Sequence, residues 1–170
     1  MTPSTKIAGV RILLTTSPSE IALARELFLE YAQSLGFSLC FQNFDKELAS
    51  LPGEYGPLSG LLLLAEYDGQ PAGCVALRAL QANICEMKRL YVRPAFRGKG
   101  LGRALAEAVV NQACAMGYSF IRLDTVEPVM KDAVALYRRM GFQEIAPYCA
   151  NPMPGALYME LKLSLRRSHE

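Results

Sequence analysis

The sequence predicts an α/β fold: a mixed, mostly antiparallel central sheet of about seven strands with helices on both faces. Three observations lead there. Stretches with apolar residues at spacings of 3 and 4 interleave with β-prone runs along the chain. Asp68-Gly69 is a strong turn signal that joins two of those runs into an antiparallel hairpin. In the second half the order becomes strand–helix–strand, the pattern of crossover connections.

Taken in order, residues 10–16 (VRILLTT) read as a strand. Ser17-Pro18-Ser19-Glu20 then supplies a capping serine, a proline at the first helical position and a glutamate three residues after the cap. Ile21, Ala24, Phe28, Tyr31 and Leu35 form the apolar stripe of the helix that follows, which Gly36 ends. A short helix is expected over 44–51 and a Gly/Pro-rich loop over 52–60. The hairpin pairs 61–67 with 71–80, and a further strand covers 84–92. A helix over 101–116 stops at Gly117, a strand spans 118–124, and a helix over 129–140 closes at Gly141. Residues 142–147 and 156–163 complete the chain as strands, the last with Leu157, Met159, Leu161 and Leu163 alternating with polar neighbours.

Composition narrows the function. With 170 residues, 51% hydrophobic and 20% charged, the chain suits one domain over 1–170 and is too apolar for intrinsic disorder. No repeat or linker divides it. A formal charge of +2 gives no global field for gripping nucleic acid or a membrane. The longest pure apolar run, Leu61 to Ala65, is far below the roughly 20 residues of a membrane span. Lys6 and Arg11 flank too brief an apolar stretch for a signal peptide, so a cytoplasmic protein is expected. Five isolated cysteines fit reduced thiols. The sole histidine is His169, the penultimate residue, which removes Ser-His-Asp, Cys-His and His-rich metal chemistry; no metal is expected.

The most informative segment runs from Leu90 to Gly102. A strand ends, Pro94 forbids its continuation, and Gly98, Gly100 and Gly102 alternate just before a helix. Glycines there let a ligand approach the backbone, and the unpaired N–H groups of the helix's first turn attract anions. Between Lys88 and Arg103 six basic residues occur without an acid, so a compact polyanion such as a pyrophosphate suits the turn. Tight packing is the alternative use of such a turn. A P-loop is excluded because Gly102 is followed by Arg103-Ala104, and the dinucleotide fingerprint because position 103 is arginine.

Arg97-x-x-Gly100-x-Gly102 resembles the Gln/Arg-x-x-Gly-x-Gly/Ala signature of the GCN5-related N-acetyltransferase (GNAT) superfamily. Ala133-x-x-Leu136-Tyr137-x-x-x-Gly141-Phe142 is similar to its second hallmark, and Arg89-Leu90-Tyr91-Val92 fits the strand before the turn. The three fall in family order across roughly residues 84–145. The resemblance implies splayed central strands and acetyl-CoA as co-substrate. Backbone groups near Leu90, Tyr91 and Val92 would pair with the pantetheine arm. Amides from Gly98 through Leu101 to Gly102, with Arg97, would hold the pyrophosphate, and Lys99 or Arg103 the outer phosphates. An amine would attack the thioester directly.

By the same resemblance Tyr137 is the candidate general acid, since a phenol is protonated at neutral pH and can reprotonate the departing sulfur. Its alternative role is core packing beside Leu136 and Met140. Glu86 is the candidate base, placed where some members carry a glutamate. Strand alternation would put Glu86, Lys88 and Leu90 on one face, and the alternative role of Glu86 is an ion pair with Lys88 or a nearby base. Met130 stands where many members have asparagine, and a thioether cannot donate that hydrogen bond. Cys85 and Cys149 read as inert, for want of a base. The acceptor would be a small-molecule or protein amine, met by residues 31–55 and 148–154. There Phe37, Phe41, Phe44, Tyr55 and Tyr148 suggest a partly aromatic pocket, with core filling the commoner use of such rings, and Asp45, Glu47 and Glu54 an attraction for cations, with surface solvation the commoner role. A non-catalytic acyl-CoA-binding module is the alternative. No nucleic acid or membrane partner is expected, and the apolar last strand offers a surface for a homodimer.

Overall fold

In the computed structural model, residues 6–164 are described; His169 lies outside them. The elements are β1 (Val10–Leu14), α1 (Pro18–Ser34), α2 (Phe44–Ser50), β2 (Leu61–Tyr67), β3 (Gln70–Gln81), β4 (Ile84–Val92), α3 (Leu101–Ala115), β5 (Phe120–Val126), α4 (Lys131–Arg139), β6 (Gln143–Glu144) and β7 (Ala156–Lys162). The seven strands form one sheet in the order β1-β2-β3-β4-β5-β7-β6. Only β4 and β5 run parallel. Helices cover both faces, as the interleaved patterns require. Among the described residues no helix is long and apolar enough to cross a membrane.

Local chemistry sets the boundaries. The capping box forms as read: Ser17 Oγ accepts from the Glu20 amide at 3.2 Å, and Glu20 Oε2 from the Ser17 amide at 3.1 Å. That carboxylate also takes the Thr16 amide at 2.6 Å, which ends β1 before the expected residue 16. β5 starts later than expected because the Tyr118 amide still bonds to Ala113 O at the end of α3. It ends later because its pairing with β7 continues to Val126–Ala156. The expected strand over 142–147 shrinks to two residues. The Phe142 amide caps α4 at Tyr137 O, and Pro147 has no N–H to extend the ladder.

Two cores flank the sheet. Leu61, Leu63, Val75, Leu77, Cys85 and Met87 pack with Leu101, Leu105 and Val109 of α3 and with Val134, Leu136 and Tyr137 of α4. On the other face Leu62, Leu64, Cys74, Ala76 and Tyr91 meet Ala24, Leu27 and Phe28 of α1 and Phe44 of α2. The continuous Leu61–Ala65 run is therefore a strand buried on both sides.

β4 carries the decisive irregularity. Its register with β3 passes from Ala76–Lys88 to Cys74–Tyr91, so Arg89 and Leu90 together oppose Val75. Arg89 adopts φ 61°, sparsely populated by side-chain-bearing residues. This bulge overturns the simple alternation read from the sequence. Glu86 and Lys88 face the α2 side, whereas Leu90 packs with Met87 in the α3–α4 core.

Candidate active site

β4 and β5 pair over three registers only, Ile84–Phe120, Cys85–Ile121 and Glu86–Arg122, and then part. The bulge increases the twist of β4 while β7 keeps β5 in the sheet, so a fork opens at the carboxyl ends of two parallel strands. Open α/β sheets bind ligands at that kind of position.

Three spaces adjoin at the fork. A groove of about 760 Å³ runs past Leu90, Tyr91 and Val92, the glycine turn and the start of α4. A void of about 30 Å³ lies in the fork itself, between Leu90, Asp124 and Tyr137. A cavity of about 530 Å³ opens on the α2 side, lined by Glu47, Arg78, Glu86 and Cys149 among others. The void shares Tyr31, Leu90 and Met130 with the groove, and Gln42, Lys88 and Asp124 with the cavity.

The groove is built from backbone. Gly98 and Gly100 hold φ 79° and 83°, the left-handed region that a Cβ disfavours. Gly102 has ordinary φ, and a Cβ there would meet nothing nearer than Val92 Cγ2 at 3.9 Å, so its bareness leaves open space for a ligand. The first helical bond of α3 runs from the Ala104 amide to Gly100 O. The amides of Leu101, Gly102 and Arg103 therefore lack intrahelical acceptors and carry the positive end of the helix dipole. The Arg93 amide bonds to Ala72 O, which makes Val92–Gly73 a wide pair and turns the Val92 N–H and C=O toward the fork. Arg97 Nε donates to that carbonyl at 3.0 Å, leaving the N–H free for a ligand. This cradle fits a pyrophosphate joined to an extended amide-bearing arm.

Of the expected groove residues, Leu90, Tyr91, Val92, Arg97, Gly98, Gly100, Leu101, Gly102 and Arg103 line it. Lys99 does not; its ammonium sits 5.1 Å above the Tyr67 ring. Arg103 is held by Glu107 at 2.7 Å. The basic run forms no single surface: Arg89 is buried against Glu47, and Arg93 pairs with Glu30. Met130 borders both groove and void, its sulfur accepting from Thr125 Oγ1 at 3.3 Å.

Tyr137 reaches the void from α4, 5% exposed, its hydroxyl unpartnered among the described residues. Burial pushes its pKa above the ordinary tyrosine value, keeping the proton in place. Glu86 is 1% exposed in the cavity wall. Its Oε1 receives Arg78 Nε at 2.8 Å and its Oε2 the Tyr148 hydroxyl at 2.6 Å. Both oxygens are thus engaged, and the ion-pair role left open from sequence is present. The carboxylate with room is Asp124, which sequence reading missed. Gln42 Nε2 and Asn151 Nδ2 both donate to its Oδ2, at 3.2 and 3.1 Å. The sequence signal was weak, a second charged residue after Arg122 in a β-prone run, and gains meaning only where β5 parts from β4.

The cavity corrects two further expectations. Its wall is mainly polar and charged: of the five expected aromatics only Phe41 and Tyr55 line it, while Phe37 and Phe44 pack in the core and Tyr148 is tied to Glu86. Glu47 and Glu54 are also committed, to Arg89 and Arg78. Glu86, Asp124 and Cys149 bring ligand atoms within 4.8 Å of one another, but Lys88 Nζ stands 3.8 Å from Glu86, a poor setting for a metal cation. The Cys149 thiol is pushed up to about 11 by burial, with Asp124 and Glu86 adding to it, and burial pushes Cys85 up to about 12. Both stay protonated at neutral pH, consistent with inert thiols.

Comparison with known proteins agrees with this geometry. The acetyltransferase (GNAT) family model matches residues 23–142. An uncharacterized N-acetyltransferase of Schizosaccharomyces pombe is 39% identical over 94% of this chain and 98% of its own. The N-acetylaspartate synthetase of Homo sapiens is 34% identical over 65% of this chain and 35% of its own. A Salmonella typhimurium protein solved with acetyl-CoA as its cofactor superposes with a TM-score of 0.70 at 19% identity, covering 95% of this chain and 97% of that one. With the forked seven-stranded sheet and the glycine turn in place, the chain belongs to the GNAT family of N-acetyltransferases.

Proposed function

We propose that the chain, acting as one catalytic domain, moves the acetyl group of acetyl-CoA directly onto a primary amine held in the α2-side cavity. The observation that carries this reading is the adjoining of groove, void and cavity through the fork, which brings a thioester and an amine together from opposite faces. The glycine turn and the free amides of α3 hold the pyrophosphate, with Arg97 beside them. The Val92 N–H and the backbone at Leu90 align the pantetheine arm as an added strand.

The remaining chemistry belongs to side chains at the fork. The amine must be unprotonated to attack, and Asp124 Oδ1 is the carboxylate position placed to accept its hydrogen. Glu86, held by Arg78 and Tyr148, fixes the cavity wall and stands as the second carboxylate through which a proton can leave by water. As nitrogen bonds to the acetyl carbon and the carbon–sulfur bond breaks, Tyr137 gives its proton to the thiolate. A backbone donor of β4 faces the oxygen that gains charge.

A panel of primary amines with free-thiol detection tests the reading. Thiol release that depends on the amine is expected, with a ternary-complex rate law. Acetyl-CoA binding without amine-dependent thiol release would refute it.

A further inference from the structure

The charges of the α2-side cavity are closely paired except for two, Lys88 and Asp124. Arg78 is bound by Glu54 and Glu86 at 2.6 and 2.8 Å, and Arg89 by Glu47 at 2.9 Å. Lys46 stands exposed at the rim. Inside, Lys88 is 9% exposed, yet its ammonium has only the neutral Gln42 Oε1 at 3.3 Å and, at 3.8 Å, a Glu86 oxygen already held by Arg78. Asp124 receives two neutral amide donors, both on Oδ2, and no ion pair among the described residues. A buried ion without a close counter-ion is costly, so a ligand that supplies one is favoured.

The two spare charges face each other across the fork. The last paired register is Glu86–Arg122, and Lys88 and Asp124 each lie two residues beyond it, on the same face of the sheet. Both border the void and the cavity. A cation on one arm and an anion on the other match a small zwitterion. The cavity's 530 Å³ is the size of a small-molecule site. A simple amine would satisfy Asp124 and leave Lys88 with only Gln42 and the Glu86 oxygen that it shares with Arg78.

We infer that the acceptor is a small aminocarboxylate, an amino acid, with its carboxylate on Lys88 and its amino group on Asp124. The inference rests on the α2-side cavity being the acceptor site. Its test pairs each amino acid with its decarboxylated counterpart: leucine with isoamylamine, alanine with ethylamine, phenylalanine with phenethylamine. Free-thiol release gives kcat/KM for wild type, Lys88→Met and the charge-keeping Lys88→Arg.

Differences in amine pKa within a pair cancel when variant and wild type are compared. Lys88→Met is expected to cut the preference for the amino acid at least fivefold, through KM, while Lys88→Arg retains most of it. A preference that survives Lys88→Met, or amines preferred outright by wild type, overturns the inference while leaving acetyl transfer intact. If no pair is turned over, thermal protection in the presence of coenzyme A decides. Stronger protection by the amino acid that Lys88→Met removes supports the clamp; equal protection by both members of a pair overturns it.

Discussion

Gly100→Ala isolates what the glycine turn does, because its structural cost can be matched elsewhere. Gly100 has φ 83°, and an added Cβ would lie 2.9 Å from Ile7 Cδ1, the flexible tip of a side chain that can swing aside. Gly117, beyond the end of α3, has φ 88° and nothing within 4 Å. Alanine in the left-handed region costs about 1–2 kcal/mol at either site. In a chain of this size that lowers Tm by about 2–8 °C. The two variants should therefore be equally destabilised without ligand. At a ligand concentration a hundred times Kd, binding stabilises by about 2.7 kcal/mol, or roughly 5–10 °C. Gly117→Ala should keep that shift. Gly100→Ala disturbs the left-handed backbone of the groove-lining turn assigned to the pyrophosphate; a tenfold weaker Kd removes about 1.4 kcal/mol of it, halving the shift. Differential scanning fluorimetry with acetyl-CoA reads both quantities. Equal shifts in the two variants would refute the assignment of the turn to the pyrophosphate.

Other outcomes follow from the same geometry. Tyr137→Phe should lower kcat at least about a hundredfold while leaving acetyl-CoA affinity and Tm nearly unchanged, since the hydroxyl has no partner to lose among the described residues; equal losses in rate and affinity would make it a packing residue. Because burial raises the Tyr137 pKa, the protonated donor persists as pH rises, and kcat should show no tyrosine-dependent decline up to about pH 10. Asp124→Asn should reduce kcat/KM for every amine with the apparent Tm preserved, as the amide oxygen can still accept from Gln42 and Asn151. Glu86→Gln removes the charge opposite Arg78 and should cost about 1–3 kcal/mol, less than a fully buried pair because Glu54 also holds Arg78; an unchanged melting curve with lost turnover would make Glu86 the base instead.

The architecture was legible because its signals are local. The capping box at Ser17, the Asp68-Gly69 turn and the alternation of Leu157 to Leu163 each fix an element without reference to the rest of the chain. The glycine turn was legible for the same reason, since φ requirements and helix-start amides are written in a few consecutive residues. What stayed hidden depends on register between distant strands. The bulge at Arg89, which shifts Leu90 to the opposite face, exists only in the pairing of β4 with β3. Asp124 becomes an active-site candidate only once β4 and β5 separate beyond Glu86–Arg122. Of the aromatic pocket expected from Phe37, Phe41, Phe44, Tyr55 and Tyr148 only Phe41 and Tyr55 line the cavity, because one-dimensional proximity does not show which rings turn into the core and which hydroxyl meets a carboxylate.

A crystal structure of the protein with acetyl-CoA and an amine-bearing acceptor analogue tests the fork most directly. The account predicts the thioester sulfur within hydrogen-bonding reach of the Tyr137 hydroxyl, about 3–3.5 Å, with the acceptor nitrogen entering from the Asp124 side. A thioester lying outside the separation of β4 and β5, or an acceptor reaching it from the groove rather than the cavity, would contradict it.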